Sequence, residues 1–291
     1  MTPSHDSGPH RLVCLTEETT ETLYLLGEEH RIVGISGFTY RPLRARREKP
    51  KVSAFTSANI DKILELRPDM VLGFSDLQAD IARDLIRHGV NVLIFNQRSV
   101  EEIFEMMLML SRIVTAERAG QLLVGRLRGE LARIRESADL FPFRPRVFFE
   151  EWMEPLISGI RWVDELIEIA GGRTVFPELR ECHSAKDRIV EPGAVPAANP
   201  DVVIASWCGR KVNKQQIRAR EGWESLAAVR NAHVYEVKST YILQPGPASL
   251  TEGVRQLHAI LAAVAGCDVD AALAPAEAVD RDLRPCEKGR R

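Results

Sequence analysis

At 291 residues, with 45% hydrophobic and 27% charged residues, the chain is too long for one comfortable core and too apolar to stay disordered, so two domains are expected. A formal net charge of -2 and a pI near 6.4 give no footprint for nucleic acid or an anionic membrane surface. No run approaches the roughly 18 apolar residues of a membrane span, so a soluble protein without membrane insertion is expected.

Five cysteines, Cys14, Cys182, Cys208, Cys267 and Cys286, lie scattered with no C-x-x-C spacing. That pattern suits a reducing compartment or inert buried thiols. The opening "MTPSHDSGPHRLVCLTEETT" lacks the cationic and apolar regions of a secretory signal, and Cys14 has no lipobox around it. The chain as written is therefore expected in the cytoplasm, and in the periplasm if its N-terminus is incomplete.

Residues 1–10 and 267–291 are expected to be flexible tails. Between them the first half predicts a strand over 11–15, a helix over 20–26 stopped by Gly27, a strand over 31–36 and a basic loop, "RPLRARREKPK". A short helix over 60–66, a strand over 70–73, a helix over 77–88 and a strand over 90–95 follow. Strands alternating with helices predict parallel pairing through right-handed crossovers, an α/β lobe over 11–98.

Ser99 and Glu102 form a capping box at the start of the next segment. A second helix from about Thr115 runs to "FPFRP", and at 1.5 Å per residue its roughly 23 residues reach about 35 Å, enough for a bridge. Residues 99–141 are read as bridging helices, and 142–266 as a second α/β lobe. That lobe predicts a strand over 146–149, a helix over 160–170 stopped by Gly171-Gly172, and a short helix from Pro192, a residue suited to a first helical position. A strand over 202–205, a loop to about Leu226, a strand over 233–237 and a helix over 250–264 complete it.

Two stretches repeat one design. "RPDMVLGFSD" from Arg67 and "NPDVVIASWC" from Asn199 each give a Pro-Asp turn, a short apolar strand and an aromatic, with Asp69 matching Asp201 in register. Together with the opening "RLVCLTEETTETLYLLGEEHRIVGIS", "PKVSAFTSANIDKILEL" and "PLISGIRWVDELIEIAGGRTVF", they resemble the substrate-binding proteins of bacterial cobalamin and iron-chelate ABC importers over about residues 11–265. The resemblance implies two similar parallel-sheet α/β lobes joined by one long bridging helix, with a ligand cleft between lobes. It implies a non-enzymatic monomer binding a corrinoid such as cobalamin, or alternatively haem or a ferric siderophore. No intrinsic cofactor and no resident metal are expected.

Open parallel sheets bind ligands beyond their strands' carboxyl ends, and aromatic rings suit the wide apolar face of a tetrapyrrole. On that reasoning Tyr40, Phe55 and Phe74 in the first lobe, and Trp152, Trp162 and Trp207 in the second, are candidate ligand contacts, with Trp207 projecting into the cleft. Trp223 is read as local packing. Thr16, Ser57 and Gln244 are the polar candidates for the ligand's rim. Thr19, Ser158 and Gly159 at helix starts have the same chemistry and also ordinary capping roles.

The family docks on a permease through an acidic residue on each lobe. Asp76 or Asp80 fits the first lobe, whereas the stretch after Trp207 carries Arg210, Lys211, Lys214 and Arg218, of the opposite sign. A cytosolic corrinoid carrier or sensor is therefore an alternative to uptake. A rival of another class is a hydrolase using Cys208 as nucleophile with His183 or His258 as base. A bare-metal cargo would need converging ligands, and the seven histidines are dispersed.

Overall fold

The computed structural model describes residues 8–277 and Val279. The chain folds as two compact units, one comprising the chain to Arg128 together with Gln244–Ala248, the other Gly129–Leu243 and the chain from Ser249 onward.

In the first unit β1 (Leu12–Cys14), β2 (Ile32–Ser36), β3 (Lys51–Ser53), β4 (Met70–Phe74) and β5 (Asn91–Phe95) form a parallel sheet in the order β3-β2-β1-β4-β5. The central strand is apolar on both faces, and Leu12, Val13 and Cys14 are all buried. Helices must therefore cover both sides. They are α1 (Glu17–Leu26), α2 (Ala45–Glu48), α3 (Ile60–Glu65), α4 (Ala79–Arg87) and α5 (Val100–Ile113). Helix α1 stops because Gly27 turns left-handed at φ 79°, letting Glu28 N reach Leu23 O at 2.9 Å. Helix α3 starts on Asn59, whose side chain accepts Lys62 N, and α5 starts on the full Ser99–Glu102 capping box. Helix α2 arises from the basic stretch read as a loop, and β3 begins at its last residue, Lys51, pairing with β2 through Lys51 and Ser53 as a short edge strand.

Helix α6 (Glu117–Ala138) follows a break at Thr115, which sits at φ 57°, and the division between the units falls within this helix. No helix among the described residues is long and apolar enough to cross a membrane.

In the second unit β6 (Arg146–Met153), β9 (Val202–Ala205) and β10 (Val234–Glu236) pair in parallel as β10-β9-β6. The far edge of β6 departs from the expected all-parallel sheet. There β7 (Leu156–Ser158) returns antiparallel after a tight turn at Glu154-Pro155, while β8 (Arg173–Thr174) pairs in parallel with the start of β6. A hairpin needs only a short link, which "MEPLIS" supplies. The register shifts between Glu150 and Trp152, an irregularity that re-aims side chains at the strand's carboxyl end.

The remaining helices are α7 (Arg161–Ile169), α8 (Ala194–Ala198), α9 (Lys214–Arg218), α10 (Ala227–Arg230), α11 (Ser239–Ile242) and α12 (Val254–Ala265). Pro192 is not a first helical position, because α8 begins two residues later. A π-helical turn, Ser249–Gly253, precedes α12.

The two Pro-Asp turns do the same work in both units. Asp69 N donates to Arg11 O at 2.9 Å and its Oδ2 accepts Arg11 N at 2.9 Å; Asp201 N donates to Arg146 O and its Oδ2 accepts Arg146 N, both at 2.8 Å. Each aspartate sets the register of a unit's first strand against its neighbour.

Parts of the expected tails are tied down. Asp69 also accepts His10 N at 2.7 Å. Residues 271–273 form a helical turn capped by Asp270, and the Glu277 carboxylate pairs with Lys238 at 2.6 Å and accepts the Tyr241 hydroxyl. Residues 1–7, Ala278 and 280–291, including Cys286, lie outside the described residues.

Candidate functional site

In the first unit the loop leaving β2 presents apolar side chains to solvent: Phe38 is 57% exposed, Tyr40 37% and Leu43 61%. Loop backbone needs partners, and here buried or half-buried side chains supply them. Glu17 Oε2 accepts Tyr40 N at 3.0 Å and its Oε1 accepts Arg41 N at 3.2 Å. Arg46 donates to the carbonyls of Gly37 and Thr39 at 3.0 and 2.7 Å. Phe55, half-buried, and Ser57, exposed, follow β3. The fully buried Gln78 ties this edge together: its Nε2 donates to Phe55 O at 2.8 Å and its Oε1 accepts Phe74 N at 3.0 Å.

Beneath the β2 loop, α1 begins with three buried glutamates, Glu17, Glu18 and Glu21. Burial is the main reason their carboxyls are pushed up, Glu17 to about 8 and Glu18 to about 7. Glu21 moves the same way, opposed by Arg41, whose Nε donates to its Oε1 at 3.1 Å. Glu21 Oε2 accepts Ala248 N at 3.0 Å. The segment holding Ala248 passes so close that a Cβ at Gly246 would stand 2.4 Å from Glu18 Cβ. Gln244, half-buried, opens this segment, and Pro245 O accepts Gln97 Nε2 at 3.0 Å.

Two first-unit candidates are corrected. Thr16 is buried, and its hydroxyl donates to Glu18 Oε1 at 2.5 Å, so it serves the glutamate cluster. Phe74 is buried beneath the Arg98 guanidinium, 4.9 Å from the ring centroid. Phe74 ends β4, which lies between β1 and β5, and is only 6% exposed.

In the second unit the carboxyl end of β6 carries two carboxylates, each gripped by an arginine through both oxygens. Arg220 donates to Glu150 at 2.6 and 2.8 Å, and Arg188 to Glu151 at 2.6 and 3.1 Å. Arg188 also donates to Ser158 O at 2.5 Å, and Ser158 is buried. Trp152, half-buried, donates from Nε1 to Glu154 O at 3.0 Å, with the Arg210 guanidinium 5.8 Å from its ring centroid. Arg210 and Lys211 are exposed, and among the described residues neither has a carboxylate partner.

Trp162 and Trp207 are corrected as well, each only 3% exposed. Trp162 occupies the first turn of α7 and donates to Ile242 O at 2.9 Å. Trp207 folds back into the apolar cluster with Phe148, Val203, Val212 and Trp223, and its Nε1 donates to Glu150 Oε1 at 3.0 Å. Trp223 is core, edge-on to Phe148.

The nucleophile reading loses one of its two candidate bases, His258, while His183 is exposed. Cys208 is exposed, but packing beneath it and the charge of Glu151 push its thiol up, away from the reactive thiolate. His258 is buried between Ala170 O and Ser137 Oγ, 3.0 Å from each, and stacks on Phe141. No group of three His, Cys, Asp or Glu among the described residues is placed to hold a metal ion.

The candidate rings that stay partly exposed are thus Tyr40 and Phe55 in the first unit and Trp152 in the second; of the polar candidates in the first unit, Ser57 is exposed and Gln244 half-buried. Phe38, the most exposed aromatic of the β2 loop, is an addition that sequence reasoning missed, although it stands two residues before Tyr40. The glutamate cluster was missed because acids in a helix's first turn read as ordinary dipole partners.

A family model described as periplasmic binding protein matches residues 12–241. An uncharacterized ABC transporter substrate-binding lipoprotein of Bacillus subtilis, YvrC, is 25% identical over 258 residues, covering 86% of this chain and 79% of that protein. A cobalamin-binding protein of Halobacterium salinarum is 24% identical over 263 residues, covering 87% of this chain and 70% of that protein. Among solved structures, the periplasmic heme-binding protein RhuT of Roseiflexus superposes with a TM-score of 0.77 at 20% identity, covering 89% of this chain and 100% of that one.

Proposed function

This chain belongs to the periplasmic binding protein family, and we propose that it binds a corrinoid at the carboxyl ends of its parallel strands. The observation that carries the ligand class is the set of partly exposed rings at those ends, Tyr40 and Phe55 in one unit and Trp152 in the other. A corrin offers a broad apolar face for such rings, each worth roughly 1 to 3 kcal/mol when covered. Its amide rim suits the hydroxyl of Ser57 and the carboxamide of Gln244. The relative from Halobacterium, named for cobalamin, supports the same ligand.

The protein is read as a carrier and not an enzyme: its family is one of binding proteins, the Cys208 thiol is pushed up by packing and Glu151, and His258 is committed to the core. A permease is the partner that uptake would require. Asp76 and Asp80, with side chains 83% and 85% exposed, are the contact we assign on the first unit, although the stretch after Trp207 presents Arg210 and Lys211 instead.

A second reading, haem or a ferric siderophore, is favoured by Arg210 over Trp152 with Lys211 beside it in the chain. Two cations next to an aromatic ring suit the carboxylates or catecholates at the edge of such a chelate. Absorbance titration of the purified chain with cyanocobalamin, aquocobalamin, haemin and a ferric catecholate separates the readings. One corrinoid retained per chain through gel filtration at micromolar protein is the expected result. Retention of haemin or the catecholate alone replaces it with the second reading.

A further inference from the structure

The β2 loop that displays Phe38 and Tyr40 takes its support from a buried acid. Glu17 is 2% exposed, and it uses both oxygens on consecutive backbone amides, Tyr40 N and Arg41 N. We infer that Glu17 is a positioning residue for the ligand-binding loop, and that its carboxylate, not its protonated acid, holds the backbone displaying Phe38 and Tyr40. A carboxylate offers acceptor capacity on both oxygens, whereas the neutral acid turns one of them into a hydroxyl donor facing an N–H. Protonation therefore releases one of the two amides. Phe38 and Tyr40 are then presented by a looser loop, and ordering it on binding costs affinity.

The groups around Glu17 make this titration accessible. On its own helix Glu18 and Glu21 add negative charge, and from the loop Arg41 reaches Glu21 rather than Glu17. The neighbouring segment Gln244–Ala248 contributes no ionisable side chain, only the Ala248 amide to Glu21. From β1, Cys14 remains a thiol, its pKa pushed up to about 12 by burial, and Lys49 faces it. On α5, Glu102 is engaged in its capping box while Glu101 and Glu105 are exposed. No cation reaches Glu17 itself among these groups, which agrees with a carboxyl pushed up to about 8. The unfolded-state value is the ordinary one near 4.5, so the carboxylate forms in the fold only as pH rises through about 8.

The inference rests on the proposed function for its effect on affinity, but its structural half can be read without ligand. Amide hydrogen exchange at Tyr40 and Arg41 should be followed from pH 6 to 9.5 on the full chain, for the natural protein and for Glu17→Gln, beside cyanocobalamin titrations at the same pH values. Cyanocobalamin has no aquo ligand to titrate in this range. Protection factors at the two amides, corrected for intrinsic exchange, should rise by roughly tenfold through about pH 8 in the natural protein and stay flat in Glu17→Gln. Affinity should rise in parallel in the natural protein alone. Glu17→Asp, a shorter carboxylate, should restore part of the pH step, which a purely structural role would not predict. If cyanocobalamin binds but protection and affinity are flat with pH in the natural protein, the inference is overturned while the ligand reading stands. If the protection step is present and no corrinoid is retained, the positioning role stands and the ligand reading fails. The natural protein's own pH profile keeps the test decisive even if Glu17→Gln does not fold.

Discussion

The Trp207 indole donates to Glu150 Oε1 at 3.0 Å, joining the loop after β9 to the end of the neighbouring strand β6. That bond and the apolar cluster around it make Trp207 a core residue of its unit. Trp207→Ala is expected to cost roughly 3 to 5 kcal/mol of folding stability, the range for deleting a buried aromatic. The milder Trp207→Phe, which mainly removes the indole donor, should cost about 1 to 2 kcal/mol. Urea midpoints on the two variants measure this. Ligand affinity of Trp207→Phe should stay within about twofold of the natural chain, and a large affinity loss with an unchanged midpoint would return Trp207 to the ligand.

Glu150 is fully buried, and Arg220 is its only cationic partner among the described residues. Arg220→Met leaves the carboxylate without compensation and should destabilise by roughly 3 to 5 kcal/mol. Glu150→Gln combined with Arg220→Met keeps an acceptor for Trp207 while removing both charges. The double variant should recover most of the loss, because the cost arises from the stranded charge and not from the absent pair. A double variant as unstable as Arg220→Met would show that the guanidinium matters for its packing on Trp223, 4.6 Å from that ring's centroid.

Cys208 offers a chemical check on the binding-protein reading. Its thiol is pushed up by the packing beneath it and then by Glu151, so the thiolate fraction at neutral pH falls below that of a free cysteine. Alkylation by iodoacetamide at pH 7.5 should be slower than for free cysteine under the same conditions. Glu151→Gln should speed it modestly, whereas fast alkylation of the natural chain would reopen the nucleophile reading.

The α/β plan was legible because its signals are local. Gly27 and Gly171 follow helices, Ser99 and Glu102 cap one, and Asp69 and Asp201 repeat a turn whose partners, Arg11 and Arg146, open the adjacent strands. What escaped depends on partners distant in sequence. A tryptophan after a buried strand gives the same local pattern whether it turns outward or folds back, and for Trp207 the decision lies with Glu150, 57 residues earlier. Tyr40 and Trp152 stay partly exposed because each sits beyond the last buried strand residue, four positions after Ser36 and two after Glu150. The burial of Glu17 and Glu21 was equally invisible, since their acceptors serve Tyr40, Arg41 and Ala248 in segments far along the chain. Local pattern fixes the elements, while long-range pairing selects which strand-end side chains face water.

Asp164 gives the clearest expected dependence of stability on pH. It lies in the first turn of α7, 2% exposed, directly under Gly159, where an added Cβ would stand 2.8 Å from its Oδ1. Burial pushes its carboxyl up to about 8, against opposing pulls from Arg180 and Arg188. The folded state thus favours the protonated acid, while the unfolded chain ionises near the ordinary value of 3.8. Its contribution to stability is fully present below that value and is lost as pH rises towards about 8, with a slope of up to about 1.4 kcal/mol per pH unit. Asp164→Asn has no proton to release and should lack this slope. The two proteins, compared by urea denaturation from pH 5 to 8.5, should therefore diverge in favour of Asp164→Asn as pH increases. Parallel curves would mean that Asp164 is ionised in the folded state, paired with Arg180 or Arg188, and Asp164→Asn would then be the less stable protein at every pH in that range.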